Sequence, residues 1–456
     1  MSRAWSWVLQ RRPRVFLLAG WIVFLLGAYP GYMSVDSTLQ LYSVRSGDFT
    51  DYAPVMSFVW AALEYVAAGP LPMLLLQSGL LLFGAYGVLA TLIAPRRAAV
   101  GAAILLITPP VFATFAVIWP DPLAIGAFVA SIACALDARR GMRVLAGVSC
   151  VLAFSCRPEL VVAALPIAIH ICTGSRLRRA GIATALVVGL GGTAMLANEA
   201  FTVVDTYAQQ ERQLMDLVGT LRRAKPPAAE IEQRFAHLPV ADRSQLVPRI
   251  REHNEALDAW PLAHGDERIV DPIDTDADAG ELARAWRAII FEHLSAYFIH
   301  RWAMTRALLG FTPKWQPIFD SHGDPQLLAP VHHRARASTW QRGMRAVVRA
   351  VGATPLMRPW FYLFALGGLL WLVRSRKLAV AILVGALLQQ LAVMLVFAPA
   401  AEYRQSLWLV TATWLIAIVR SCGSSSRPRS SAPGGTPGTS TSSTPTADTK
   451  TSSLPS

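Results

Sequence analysis

The chain has 456 residues, of which 54% are hydrophobic and only 16% charged, and its mean hydropathy is +0.40. That balance excludes a soluble enzyme and makes the bilayer the solvent. The net charge of +13 does not point to nucleic acid, because the arginines cluster in short pieces between apolar segments, the footprint of the positive-inside rule.

Arg3, Arg11, Arg12 and Arg14 precede an apolar run over 15–29. Pro30-Gly31-Tyr32-Met33 offers no small-x-small cleavage site, so the run is expected to stay as a signal anchor. Further apolar runs of spanning or near-spanning length lie at 72–94, 99–118, 121–137, 142–155, 159–173, 180–198, 358–374, 377–397 and 404–420. An all-α polytopic membrane protein with about ten transmembrane helices is expected. If the N-terminus is cytoplasmic, Arg96-Arg97, Arg139-Arg140 with Arg143, Arg176-Arg178-Arg179, Arg374-Arg376-Lys377 and Arg420 all fall inside. Pro54 to Ala68 holds Glu64 and is too short to span, and counting it would invert every later joint. It is expected to lie on the outer surface as an amphipathic helix, beside a shorter one near Asp36 to Val44.

The organisation expected is a membrane bundle over 1–198 with its first outer loop at 30–71, a mainly helical extracytoplasmic segment over 199–357, membrane helices over 358–420, and a disordered cytoplasmic tail over 421–456. No repeat of fixed period is visible. The cysteines Cys134, Cys150, Cys156, Cys172 and Cys422 show no CxxC spacing, so neither a disulfide framework nor a zinc site is indicated.

The outer face collects the residues that could carry chemistry. In "DSTLQ", Asp36 and Gln40 fall on one helix face, while Val35, Leu39 and Tyr42 form an apolar stripe against the membrane or the bundle. A carboxylate beside lipid is desolvated and more basic, which suits a general base; the plainer reading is a cap with Ser34. Asp48 and Asp51 follow in the same loop. Asp121 stands in a tight Trp119-Pro120-Asp121-Pro122 turn, as a membrane-edge carboxylate or a solvated turn residue. Arg157 and Glu159 interrupt an apolar stretch; the arginine calls for a phosphate, or for a salt bridge with Glu159 or Asp121. Glu402 and Arg404 open the last run from the outside, against the charge bias, so Arg404 calls for a phosphate ligand, for Asp36 as ion-pair partner, or for snorkelling to the interface.

In the long segment, Gln209, Gln213 and Asp216 have helical spacing, and His300-Arg301 flank an apolar helix face; ordinary amphipathic helices explain both. "DTDADAGE" from Asp274 has Ala279 where a calcium loop needs Gly, which rules out an EF-hand. His332-His333 lacks any companion ligand spacing and reads as surface loop.

Taken together, Asp36-Ser37-x-x-Gln40 after the Pro-Gly end of the first run, Asp121, the Arg157-Pro158 turn, Asp216 in "QLMDLVG" and "EYRQSLW" resemble the bacterial GT-C-type membrane glycosyltransferases. The resemblance covers most of the apolar chain, from about Arg14 to Arg420, through short motifs. It implies an inverting transfer of a sugar from a polyprenyl-phosphate donor to an envelope glycan or glycolipid acceptor on the outer face of the bacterial cytoplasmic membrane. Both termini are then cytoplasmic, and the partners are lipid-borne and not nucleic acid. By position, the catalytic aspartate of that superfamily maps onto Asp36. Substrate and phosphate binding are expected of Gln40, Asp51, Asp121, Arg157, Glu159, Asp216, Glu402 and Arg404. Related sequences often read Asp-x-His-Pro where this chain has Asp51-Tyr52-Ala53-Pro54, so any metal or proton-transfer role of that histidine is lost. No cofactor or metal ligand is assigned, although a divalent metal is compatible with the family. A lipid-linked substrate flippase or transporter would use the same charges along a translocation path, and a non-catalytic membrane assembly factor would not need Asp36 at all.

Overall fold

Alternating proline-started apolar helices and short polar joints set the architecture. The computed structural model describes residues 13–207, 209–252, 260–266, 268–312, 338–398 and 400–423. Arg3, Arg11, Arg12, His332-His333 and the tail beyond residue 423 lie outside the described residues. Of the described residues 76% are helical, and no strand occurs among them.

The bundle begins with α1 (Pro13–Ala28), followed by α2 (Val35–Ser46) and α3 (Pro54–Glu64). The apolar helices α4 (Leu71–Ala90), α5 (Pro95–Ile107), α6 (Pro109–Phe115), α7 (Pro120–Ala135), α8 (Arg140–Cys156), α9 (Leu160–Ile171) and α10 (Arg176–Phe201) come next. The long segment forms α11 (Gln210–Ala224), α12 (Ala228–Arg234), α13 (Leu246–Glu252), α14 (Trp260–Ala263), α15 (Asp276–Glu292) and α16 (Leu294–Leu308). The chain then runs through α17 (Thr339–Gly352), α18 (Pro359–Leu372), α19 (Lys377–Ala392) and α20 (Leu407–Gly423). A π-helical turn, Val393–Phe397, extends α19, and a 3-10 turn, Tyr403–Ser406, opens α20. The last helix therefore continues past residue 421, where the tail was expected to start.

Every apolar run is helical, but among the described residues four helices are long and apolar enough to cross a membrane by themselves: Leu71–Ala90, Arg176–Phe201, Lys377–Phe397 and Tyr403–Cys422. The expected third run is broken. Thr108 stands before Pro109-Pro110, where a helical backbone is disfavoured, and α5 and α6 meet at 65°; together they make a fifth candidate span. The remaining apolar helices are shorter. Exposed Leu18, Ile22, Val144, Val148, Leu186, Val188 and Leu196 give the bundle an apolar outer surface, as in a membrane protein.

The joints sort to two ends. Arg376 donates to the Leu92 carbonyl at 3.2 Å and Arg97 to the Cys422 carbonyl at 2.6 Å, so three basic joints meet at one end. At the other end the backbone of Tyr32 pairs with Ala116 and Ile118, at 2.8 and 3.0 Å. Buried Gln77 donates to the carbonyls of Phe115 and Val117, both at 2.8 Å, which holds this extended stretch in place.

The long segment carries its own apolar core, built on Leu214, Leu217, Val218, Ile231, Phe235, Ile250, Leu282 and Ile289. It docks on the first loop, where Val204 donates to the Phe49 carbonyl at 3.0 Å. Val348 of α17 and Met357 pack into the bundle core. The Thr275 side chain caps α15 by accepting from Asp278, so the acidic "DTDADAGE" stretch starts a helix.

Close helix contacts rest on small residues. A Cβ on Gly84 of α4 would stand 2.6 Å from the backbone nitrogen of Ala130 in α7, whereas Gly141 has open space. Gly84→Val should therefore force the two helices apart, at about 1–3 kcal/mol, and lower the thermal unfolding midpoint in detergent. Gly141→Ala should leave the midpoint equal or raised.

Candidate functional site

The site is built on the start of α2. Ser34 and Ser37 form a reciprocal capping box, Trp119 Nε1 donates to Ser34 Oγ at 2.7 Å, and Ser37 Oγ donates to the Ile118 carbonyl at 2.7 Å. Since Ser34 supplies the cap, Asp36 is free of that duty. Its carboxylate instead accepts from Arg404 Nη1 at 2.5 Å. The Arg404 guanidinium also contacts Glu402 and stacks 4.9 Å over the Trp119 ring. The Arg404 side chain is 16% exposed and that of Asp36 37%, so the carboxylate faces the open side of the pair.

A second arginine stands beside the first. Arg157, between α8 and α9, pairs with Asp121, lies 3.5 Å from Glu159 and donates to Gln405 Oε1 at 3.1 Å. Asp121 is 2% exposed in the first turn of α7, which favours a negative charge. Because Arg404 and Gln405 are neighbours in the chain, the start of the last helix joins both ion-pair centres. Two guanidiniums thus face four carboxylates: Asp36, Asp121, Glu159 and Glu402.

Tyr52 completes the cluster from the first loop. Loss of hydration pushes its phenol up, although the residue as a whole is 38% exposed; the nearby Arg404 acts against this, and Asp36, Arg157 and Glu402 are also in electrostatic reach. The hydroxyl therefore stays protonated at neutral pH and can donate a hydrogen bond. Val35, Leu39 and Tyr42, the apolar stripe of α2, are exposed, so they face outward and not into the bundle.

Below the ions runs an uncharged polar stripe. Ser406 Oγ of the 3-10 turn, Trp408 Nε1 and Thr411 Oγ1 of α20, and both amide ends of Gln390 in the adjacent α19 are buried and without a hydrogen-bond partner among the described residues. Arg404, Trp408 and Thr411 follow each other at helical spacing. Buried polar groups of this kind are costly to leave unmatched. Sequence reading missed Tyr52, Gln405 and this stripe. The i, i+4, i+7 spacing from Arg404 was the signal available for two of its members.

Three expected site residues lie elsewhere. The Gln40 amide donates to Ser57 Oγ at 3.3 Å and holds α2 to α3. Asp51 accepts from the Thr206 backbone at 3.0 Å and from its hydroxyl, tying the first loop to the long segment. Asp216 is fully buried in the second core, where it accepts from Arg301 at 2.5 Å and Trp286 at 3.1 Å, 3.5 Å from His300. Periodicity put Asp216 on a helix face but could not say that the face is the interior one. Arg301 in turn donates to the Ala398 carbonyl at 3.0 Å, which fixes the loop leading to Glu402.

Among the described residues, the group with metal-ligand spacing is Glu230, Glu292 and His293, in the second core's helices and not at Asp36. There Arg234 already holds Glu292, and His293 is 2.9 Å from Glu230. No family model, curated protein or solved structure matches the chain.

Removing Arg157 would strand Asp121 as a buried, unpaired charge. Arg157→Ala and Asp216→Ala should each cost about 3–5 kcal/mol of stability, read as a lowered unfolding midpoint. Asp36→Asn removes the more exposed partner of a part-buried pair and leaves Glu402 on Arg404, so it should cost less than either and unfold at a midpoint closer to wild type.

Proposed function

We propose that this chain is a membrane glycosyltransferase that moves a sugar from a polyprenyl-phosphate donor to an envelope acceptor, with Asp36 taking the proton of the acceptor hydroxyl. The observation that supports this most is the pairing of part-exposed Asp36 with Arg404, next to Arg157 through Gln405. With all ten apolar helices crossing the bilayer and the arginine-rich joints inside, both chain ends are cytoplasmic. The ionic cluster is then extracytoplasmic, under the long segment.

The chemistry follows from competition for one cation. A donor phosphate arriving at Arg404 offers a bidentate partner and displaces the Asp36 carboxylate. The acceptor hydroxyl attacks the anomeric carbon, the bond from that carbon to the phosphate oxygen breaks, and the proton passes to Asp36. Attack from the face opposite the leaving phosphate inverts the anomeric centre. Polyprenyl phosphate leaves with the bonding electrons, its charge held by Arg404 and Arg157. Proton acceptance by a positioned base contributes about 10²- to 10⁴-fold in rate. It also removes one negative charge from a cluster that carries two in excess. The outward stripe of Val35, Leu39 and Tyr42 gives the lipid tail an apolar approach beside Asp36, and the amide, hydroxyl and indole groups beneath suit sugar hydroxyls.

A translocation path for a lipid-linked sugar is the second reading, favoured by the same buried stripe reaching into the bundle. The two differ at Asp36. Mass spectrometry of envelope glycans and glycolipids from a deletion strain should show a missing glycoform that wild-type protein restores. Asp36→Asn should restore at most about one hundredth of it while accumulating to normal levels. Full restoration by Asp36→Asn would leave the flippase and the scaffold standing and remove the transferase.

Arg404→Lys keeps the charge but loses the planar fork that serves carboxylate and phosphate together. Its product level should fall at least about tenfold, because a point cation cannot hold two phosphate oxygens in one plane. The same glycan profile reads it.

A further inference from the structure

The end of the bundle opposite the ionic cluster carries a groove that the transfer chemistry does not use. Its origin is a change in helix spacing. In α9 and α19, Gly385 meets Ala163 so closely that a Cβ on the glycine would lie 2.4 Å from the Ala163 carbonyl oxygen. Three residues further along α9 comes Pro166, which has no N–H to donate and whose ring opposes the carbonyl one turn back. Towards the basic end, the antiparallel pair flanks an open groove of about 290 Å³.

The lining is of two kinds. Pro166 and Ile169 of α9 and Val380 and Val384 of α19 form apolar walls. Arg374 and Lys377, both exposed, stand at the head, with the Arg374 guanidinium 5.4 Å over the Trp371 ring. Neither cation has a carboxylate partner among the described residues, whereas Arg157, Arg301 and Arg404 all do. Arg97 and Arg376 at the same end are held by carbonyls of neighbouring joints. An indole beside two unpaired cations, at the mouth of an apolar groove on the bundle surface, marks the level of a lipid headgroup.

We propose that this groove is a binding site for one anionic phospholipid. The headgroup phosphate lies between Arg374 and Lys377, and the first part of an acyl chain lies along Pro166, Ile169, Val380 and Val384. A free phosphate would leave those walls without a partner, and an uncharged lipid would leave the cations without one. Basic pockets between helices on the cytoplasmic side of a membrane recognise anionic headgroups by this combination. The bound lipid spans the widening between α9 and α19, and α9 begins one residue after Glu159, which lies beside Arg157 at the far end. The site is independent of the proposed transfer reaction.

The test uses the purified full chain, stripped of lipid and titrated with phosphatidylglycerol or phosphatidylcholine of the same acyl chains, with bound lipid counted by native mass spectrometry. Wild type should bind the first phosphatidylglycerol at least about tenfold more tightly than phosphatidylcholine, since each nearby cation adds about fivefold. Arg374→Gln with Lys377→Gln should abolish that preference, and Arg139→Gln with Arg140→Gln, equally basic but outside the groove, should keep it. Val384→Trp, which fills the groove and leaves both cations, should weaken phosphatidylglycerol by about tenfold. Equal affinity for the two lipids, a preference that survives the 374/377 pair, binding unchanged by Val384→Trp, or displacement by millimolar inorganic phosphate would each overturn the proposal. The unfolding midpoint of each variant separates loss of the site from loss of the fold.

Discussion

A guanidinium withdrawn from water at the edge of an apolar bundle has to be surrounded by groups that replace its hydration, and Arg404 meets that demand from four directions. Asp36 comes from the first turn of α2, Glu402 from its own turn, Trp119 from the face of its ring, and Tyr52 from the loop before α3. These groups lie far apart in the chain, so pairing them pulls the first loop, the α6–α7 joint and the last helix into one place. The ordering of that end of the molecule follows from satisfying one cation. The extended stretch 116–119 shows how firmly: its carbonyls and amides are taken by Tyr32, Ser37 and Gln77.

A separation of charge types builds on this constraint. Cations without carboxylates gather at the end where Arg97, Arg374, Arg376 and Lys377 meet, while carboxylates outnumber arginines at the end that holds Asp36 and Asp121. Two chemically different ends result, one with exposed cations and the other with an excess of carboxylates around two arginines. The buried stripe through Trp408, Thr411 and Gln390 extends the second surface inward without adding charge. Uncharged donors and acceptors fit a neutral, hydroxyl-rich group better than an ion, which is why the stripe weighs on the side of a sugar.

The second core illustrates why a polar residue in a helix is ambiguous. Asp216 and Arg301 lie 85 positions apart, and their pairing made the aspartate look available when each helix was read alone. Their bond, together with that from Arg301 to the Ala398 carbonyl, makes Asp216 a positioning element for the loop that ends at Glu402. Gln40 and Asp51 have the same character. Gln40 sits one helical turn from Asp36 and Asp51 directly before Tyr52, and each spends its hydrogen bonds on holding neighbouring segments together.

Composition, arginine spacing and apolar periodicity were enough to give helix over each apolar run and no strand among the described residues, helices at α2 and α3, and a single end for Asp36, Asp121, Arg157 and Arg404. Those properties depend on local hydrophobicity and on charge counted along the chain, which a sequence states directly. Only the tertiary structure decided that Arg404 takes Asp36 and Arg157 takes Asp121, that Tyr52 and Gln405 join them, that Asp216 turns inward, and that Pro109 breaks a run into two helices. Partner choice between distant charges depends on which helix faces meet, and that is settled by packing at contacts such as Gly84 with Ala130, where separations of a few ångströms leave no mark on composition.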